Sequence, residues 1–135
     1  MAIAEIKKAL ETHLASLSPS VSTAYEGTTF NPTAGTMYQR VQYLIRPPTD
    51  PTRGTGYHRE NIQMQIFVAT ENNKGTGAAI TRAELIRNHF AKGTYLYEAP
   101  CHIHVLRTPQ IGSAVATSDR LIVPVLIEVT GEVSD

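Results

Sequence analysis

The chain has 135 residues, 12 of them Lys or Arg and 12 Asp or Glu, with 41% hydrophobic and 18% charged residues. That length predicts one domain over residues 1–135, able to bury roughly two-thirds of its unfolded surface without a disulfide or a structural metal. Balanced, sparse charge with no run of one sign gives no support to a surface that grips a nucleic-acid backbone, and points to protein partners instead.

At the start, Met1-Ala2-Ile3-Ala4-Glu5 lacks the basic region and long apolar core of a signal peptide. Nowhere does an apolar run approach the ~20 residues of a membrane span, so a soluble chain, cytoplasmic at synthesis, is expected. Ala2 to Leu17 predicts an amphipathic helix: Ile3, Ile6, Leu10, Leu14 and Leu17 recur at three and four, with Lys7, Lys8, Glu11 and Thr12 between them. The stripe is one face wide, which suits a helix lying on a sheet. His13 falls beside it as a partly exposed flank.

Val21 to Phe30, rich in Ser, Thr and Tyr, predicts a strand with a bulge or bend at Gly27. Phe30 to Gly35 is turn-rich. Thr36 to Ile45 predicts a second strand, with Met37, Val41, Tyr43 and Ile45 opposed to Tyr38, Arg40, Gln42 and Leu44. Arg46 to Gly56 then holds three prolines and two glycines, a composition that cannot continue a ladder. Because it joins two neighbouring strands, Tyr38 to Ile45 and Tyr57 to Ala69, the hairpin is expected to project as an arm; a floppy surface loop is the other possibility.

The chain is organised around Glu60 to Phe90. Ile62, Met64, Ile66 and Val68 alternate with Gln63 and Gln65, the period of a half-buried strand. Asn72 to Gly77 breaks that pattern, with Thr76 placed as an N-cap. From Ala78 the period becomes 3.6. Ile80, Ala83, Ile86 and Phe90 form the stripe, Arg82, Glu84, Arg87 and Asn88 face away, and Gly93 is expected to close the helix with a left-handed C-cap.

Thr94 to Tyr97 predicts a short edge piece. Cys101 to Arg107 alternates, with Cys101, Ile103 and Val105 inward and His102 and His104 outward. Cys101 is the single cysteine, so no intramolecular disulfide can form, and a buried, inert thiol is expected. Thr108 to Ser113 is a linker containing a turn. Asp119 to Thr130 predicts a long strand with Leu121, Val123, Val125, Ile127 and Val129 on one face; Pro124 places it locally at an edge or a bulge, and an unpaired edge would invite another chain. The sum is an α+β fold: a mainly antiparallel sheet with two helices packed on one face and a projecting Pro/Gly-rich β-hairpin arm.

The residue types that carry chemistry do not converge. His102 and His104 share a strand face as two metal ligands would, but His58, His89 and Cys101 complete no known spacing, so neither metal nor cofactor is expected. Gly75-Thr76-Gly77 lacks the further glycine or the Lys-Ser/Thr of a phosphate loop. Cys101 and His102 face opposite ways, and Glu60, Glu84, Glu98 and Glu128 are scattered, so no catalytic residues and no enzyme are expected. The six tyrosines suit either a protein interface or the rim of an ordinary core.

In the order of its pieces the chain resembles the tail terminator proteins of long-tailed bacteriophages, also called tail completion or minor tail proteins. The resemblance rests on the N-terminal helix and Phe30-Asn31-Pro32 ahead of a strand. It continues through the Pro/Gly-rich arm, then Ile62 to Val68 leading by Gly75-Thr76-Gly77 into a helix with Ala83-Glu84-Leu85-Ile86 and Phe90, and closes with two C-terminal strands. Glu84 stands where many relatives carry Asp, and the turn lacks a preceding proline. The resemblance implies a structural virion protein that forms a homo-oligomeric ring, usually a hexamer, on the tail tube. The ring ends tube polymerisation and joins the filled head through a head-completion or connector protein, with genomic DNA passing unbound through its lumen. It also implies a place at the head-proximal end of the virion tail, after assembly in the host cytoplasm. For the subunit or partner interface the arm is the candidate, with Arg46, Arg53, Tyr57, His58 and Arg59, the arginines being available to carboxylates across a contact. A head-tail connector or stopper, or a small α+β ligand-binding module, are the competing expectations.

Overall fold

In the computed structural model the described residues are 3–17, 21–27, 37–51, 53, 56–71, 75–99, 101–117 and 120–134. They form two helices, α1 (Ile3–Ala15) and α2 (Gly77–His89), and strands β1 (Ser22–Ala24), β2 (Tyr38–Thr49), β3 (Tyr57–Glu71), β4 (Tyr95–Glu98), β5 (Cys101–Val105), β6 (Gln110–Ile111), β7 (Val115–Ala116) and β8 (Arg120–Ser134). The sheet runs β1-β2-β3-β8-β5-β4, antiparallel throughout except where β1 lies parallel to β2, and β6 and β7 also pair with β8. This is the α+β layout the alternation predicts, with both helices contributing to one core on one face of the sheet.

The core follows from the two periods. Ile62, Met64, Ile66 and Val68 of β3 stand opposite Val129, Ile127, Val125 and Val123 of β8, and all are buried. Ile6, Leu10 and Leu14 of α1 and Ala79, Ala83, Ile86 and Phe90 at the end of α2 close over them. Half of the stripe on α2 is alanine. A helix with small residues on its inner face approaches the sheet closely, and this corrects one expectation: Arg82 does not face away but is 4% exposed, its Nε donating to Gln39 Oε1 at 3.2 Å. Burial lowers the Arg82 pKa from its usual range.

Gly131 sits under α1. A Cβ built there would lie 2.4 Å from Ile6 Cδ1, so only glycine admits the helix at this height.

Several boundaries differ from the sequence expectation. β2 does not stop at Ile45 but runs on through Pro47 and Pro48, with the register shifting between Arg46↔Asn61 and Thr49↔Arg59. Tyr43 donates its N–H away from β3, to Glu26 Oε2 at 3.1 Å, and by strand alternation the nitrogen of Pro47 also faces outward. Its missing hydrogen therefore costs no ladder bond, and Pro48 falls in the bulge. The connection is thus residues 50–56, and Tyr57 to Arg59 pair with Ser134 to Glu132 of β8 inside the sheet.

β8 is not an edge but a central strand, flanked by β3 on one side and by β5, β6 and β7 in succession on the other. Pro124 is accommodated because the second flank is interrupted beside it. Its carbonyl accepts Gly112 N–H at 2.9 Å, and a Cβ on Gly112 would come within 2.7 Å of Pro124 Cγ. The Thr108 to Ser113 linker contains β6, a strand too short for periodicity to reveal. Of the predicted Val21–Phe30 strand only Ser22–Ala24 is strand, and 28–30 lie outside the described residues, as do Asn31 to Gly35 and Asn72 to Lys74. Thr76 occupies the N-cap position but makes no side-chain capping bond. Gly93 is left-handed at φ 87°, yet in the turn after the helix, where its N–H meets Val105 O at 3.0 Å; Phe90 is the C-cap.

Candidate interface surfaces

The five residues singled out for an interface lie around the β2–β3 connection. Arg53 is exposed in it, and Tyr57, His58 and Arg59 open β3. Four of the five have partners within the chain, for Tyr57 shares a side-chain hydrogen bond with Arg59. His58 Nε2 lies 3.1 Å from Glu60 Oε2, Arg59 Nε 3.4 Å from Glu132 Oε1, and Arg46 Nη2 4.0 Å from Glu128 Oε1. Glu128 is shared with Arg107, whose Nε is 2.9 Å from Oε2. The arginine contacts are partly exposed, so each contributes at most about 1 kcal/mol.

Beside them lies an open depression of about 310 Å³ lined by Arg46, Pro47, Asn61, Leu106 and Glu128. Glu128 is flanked there by the guanidiniums of Arg46 and Arg107, two positive charges against one negative.

At the other end of the sheet β5 turns His102 and His104 to the face away from the helices, as expected, and β4 adds Tyr95 and Tyr97 beside them. The Tyr95 hydroxyl and His102 Nδ1 share a hydrogen bond of 2.5 Å, and the rings of Tyr97 and His102 approach to 4.8 Å. The two histidines serve an aromatic cluster, and Tyr95 and Tyr97 stay half exposed.

A third cluster, unseen in the sequence, ties α1 to β2. Tyr43 donates its hydroxyl to Glu11 Oε2 at 2.9 Å, Lys7 Nζ lies 2.9 Å from Glu26 Oε1 and 4.7 Å from the Tyr43 ring centroid, and Glu26 also takes the Tyr43 N–H. Lys7 holds the Glu26 carboxyl below the usual carboxylate range, with the Tyr43 N–H assisting, while burial and the Glu11 carboxylate push the Tyr43 phenol up. The sequence carries no signal for this cluster beyond the alternation that puts Tyr43 on the same strand face as Val41.

No helix among the described residues is long and apolar enough to cross a membrane. No curated protein sequence matches the chain. Six solved chains do. One of them, which bears no functional name, superposes with a TM-score of 0.72 at 18% identity, over 95% of this chain and 91% of its own, a likeness that shows the fold alone. A family model described as phage tail terminator protein matches residues 5–128, and the chain belongs to that family.

Proposed function

We propose that the chain assembles as a homo-oligomeric ring of about six copies on the end of the tail tube, stops its polymerisation and offers the surface that a head-completion protein joins. As a member of the tail terminator family it is a structural protein of the phage tail, and the match over residues 5–128 is the observation that carries the proposal. The ring sits at the head-proximal end of the virion tail and is built in the host cytoplasm. Its lumen passes genomic DNA without holding it, in keeping with the even balance of 12 basic and 12 acidic residues. The hairpin end bearing Arg46, Arg53, Tyr57, His58 and Arg59 meets the neighbouring subunit, the arginines exchanging their internal partners for carboxylates across the contact.

The test is to add the purified chain to polymerising tube protein, measuring tube length by electron microscopy and the chain's mass by light scattering. Tubes shortened in proportion to added chain, and a mass of about six copies, are the expected results. Binding to a head portal with no effect on tube growth would assign it to the connector class instead.

A further inference from the structure

β2, past the short β1, and β4 form the two outer edges of the sheet and leave much open. Among the described residues no strand pairs with the outer side of β2 beyond Arg40 or with the outer side of β4. Four of the six most exposed large apolar side chains sit on these two strands: Leu44 at 47%, Ile45 at 52%, Tyr95 at 51% and Tyr97 at 55%. Natural edges are blunted by charge, by proline or by shortness; β2 has Arg46, Pro47 and Pro48 and β4 has four residues, yet both still expose large apolar side chains. Their charges are opposite as well, for β2 carries Arg40 and Arg46 and no acid, and β4 carries Glu98 and no base.

Backbone direction decides how the ends can meet. The outward N–H of Tyr43 places the groups of Tyr43 and Ile45 on the free side of β2. On the other end Val105 N–H bonds Thr94 O, so by alternation the groups of Leu96 and Glu98 face β5 and those of Tyr95 and Tyr97 face out. Outward groups therefore belong to helix-side residues on β2 and to residues of the opposite face on β4. An antiparallel contact would set Ile45 opposite a tyrosine and join the helix-covered face of one sheet to the bare face of the other. A parallel contact keeps both faces continuous. Successive antiparallel steps across the sheet also make β2 and β4 run in the same sense, as copies related by rotation about an axis along the strands require.

Building on the ring proposed above, we propose that β4 of one copy pairs in parallel with the outer edge of β2 of the next, Ile45 opposite Leu96. Tyr95 N–H then bonds Tyr43 O, Ile45 N–H bonds Tyr95 O, and Tyr97 N–H bonds Ile45 O. Leu44 meets Tyr95, and Arg46 lies over Tyr97. The ladder is bounded at one end by Glu26, which takes the Tyr43 N–H, and at the other by Pro47, which has none.

Two full-length variants test this. Ile45→Pro removes an outward N–H, a group Pro47 already lacks in the same strand, together with the exposed Ile45 side chain, and is expected to reduce the mass in light scattering from ring to monomer with an unchanged circular dichroism spectrum. In Leu44→Cys/Tyr95→Cys the cysteines lie at opposite ends of one sheet, so mild oxidation can link them only between copies; a covalent ladder on a non-reducing gel is expected. Ile45→Cys/Tyr95→Cys, on opposite faces, is expected to stay unlinked. A ring that survives Ile45→Pro and yields no Leu44→Cys/Tyr95→Cys ladder overturns the edge pairing and leaves the ring standing. A wild-type chain that is monomeric both alone and with tube protein overturns the ring, and this pairing with it.

Discussion

His13 and His89 clasp the two helices by a reciprocal exchange, each donating its Nε2–H to the other's backbone carbonyl, at 2.7 and 2.6 Å. The rings stack at 4.0 Å between centroids with 10° between planes, and Phe90 stands edge-on to both. Those carbonyls belong to the last turns of α1 and α2, so each side chain donates to the end of the opposite helix, and His13 O also accepts the Ser16 N–H at 3.2 Å. Ser16 joins them, donating to His13 O at 2.6 Å and lying 3.0 Å from His89 Nε2.

The clasp makes stability fall on acidification. Burial, with a contribution from the neighbouring His89, holds the His13 pKa below its ordinary 6.5, although the bond to the His89 carbonyl opposes the shift. Between the folded value and 6.5 the unfolded chain binds more protons than the folded one. The contribution of His13 is therefore complete above pH 6.5 and lost as pH falls from there to the folded value. Melting temperatures from pH 8 to pH 5 are expected to drop for the wild type and to drop less for His13→Gln, which keeps a donor but cannot titrate; equal slopes would remove His13 as the cause.

Gly131 and Ile6 define a second expectation. Alanine at 131 would bring its Cβ to 2.4 Å from Ile6 Cδ1 and 3.0 Å from Cγ1, in a site where Ile6 is fully buried. Overpacking of this kind costs about 1–3 kcal/mol. Shortening the neighbour should recover part of that loss, so urea unfolding of Gly131→Ala, Ile6→Val and the double variant is expected to give a double-variant cost below the sum of the singles.

Much of this was legible in the sequence. Ile62 to Val68 and Val123 to Val129 alternate so regularly that their facing, and hence the covered face of the sheet, could be read directly. What could not be read was anything set by a neighbour distant in the chain. Pro47 and Pro48 signal a break wherever both sides of a strand are paired, and only the open outer edge of β2 lets them remain in it. Arg82 reads as a surface residue until Ala79 and Ala83 bring α2 down beside Gln39. Gly131 carries no periodic signal, since its need for a missing Cβ comes from Ile6 far away. Loop composition points to Arg46, Arg53 and Arg59, whereas the exposed apolar residues of the edges, Leu44 and Tyr97, alternate like any strand residues and emerge only once strand order is known.

Gln39 and Arg82 carry the third expectation. Gln39 is 1% exposed, accepting from Arg82 Nε and donating to Thr23 Oγ1 at 3.0 Å, so it couples α2 to β1 through β2. Gln39→Leu preserves apolar packing but removes an acceptor from a buried cation, for which a loss of about 1.5–3 kcal/mol is expected. Gln39→Glu retains the acceptor and adds an opposite charge, and chemical denaturation is expected to place it above Gln39→Leu. The reverse order would mean that Arg82 is held by its other contacts alone.

Arg53 separates assembly from folding. It is exposed in the 50–56 connection, where substitutions away from packing usually change stability by less than about 0.5 kcal/mol. Arg53→Glu is therefore expected to leave the melting temperature unchanged. If the hairpin end reaches a neighbour's carboxylates, the same change places like charges together, weakening ring formation several-fold at low salt and less at high salt, where screening shortens the range of the repulsion. Light scattering across protein and salt concentration measures both dependences. Assembly indifferent to Arg53→Glu at low salt would remove this residue from the contact and leave the neighbour to be held by the rest of the hairpin base.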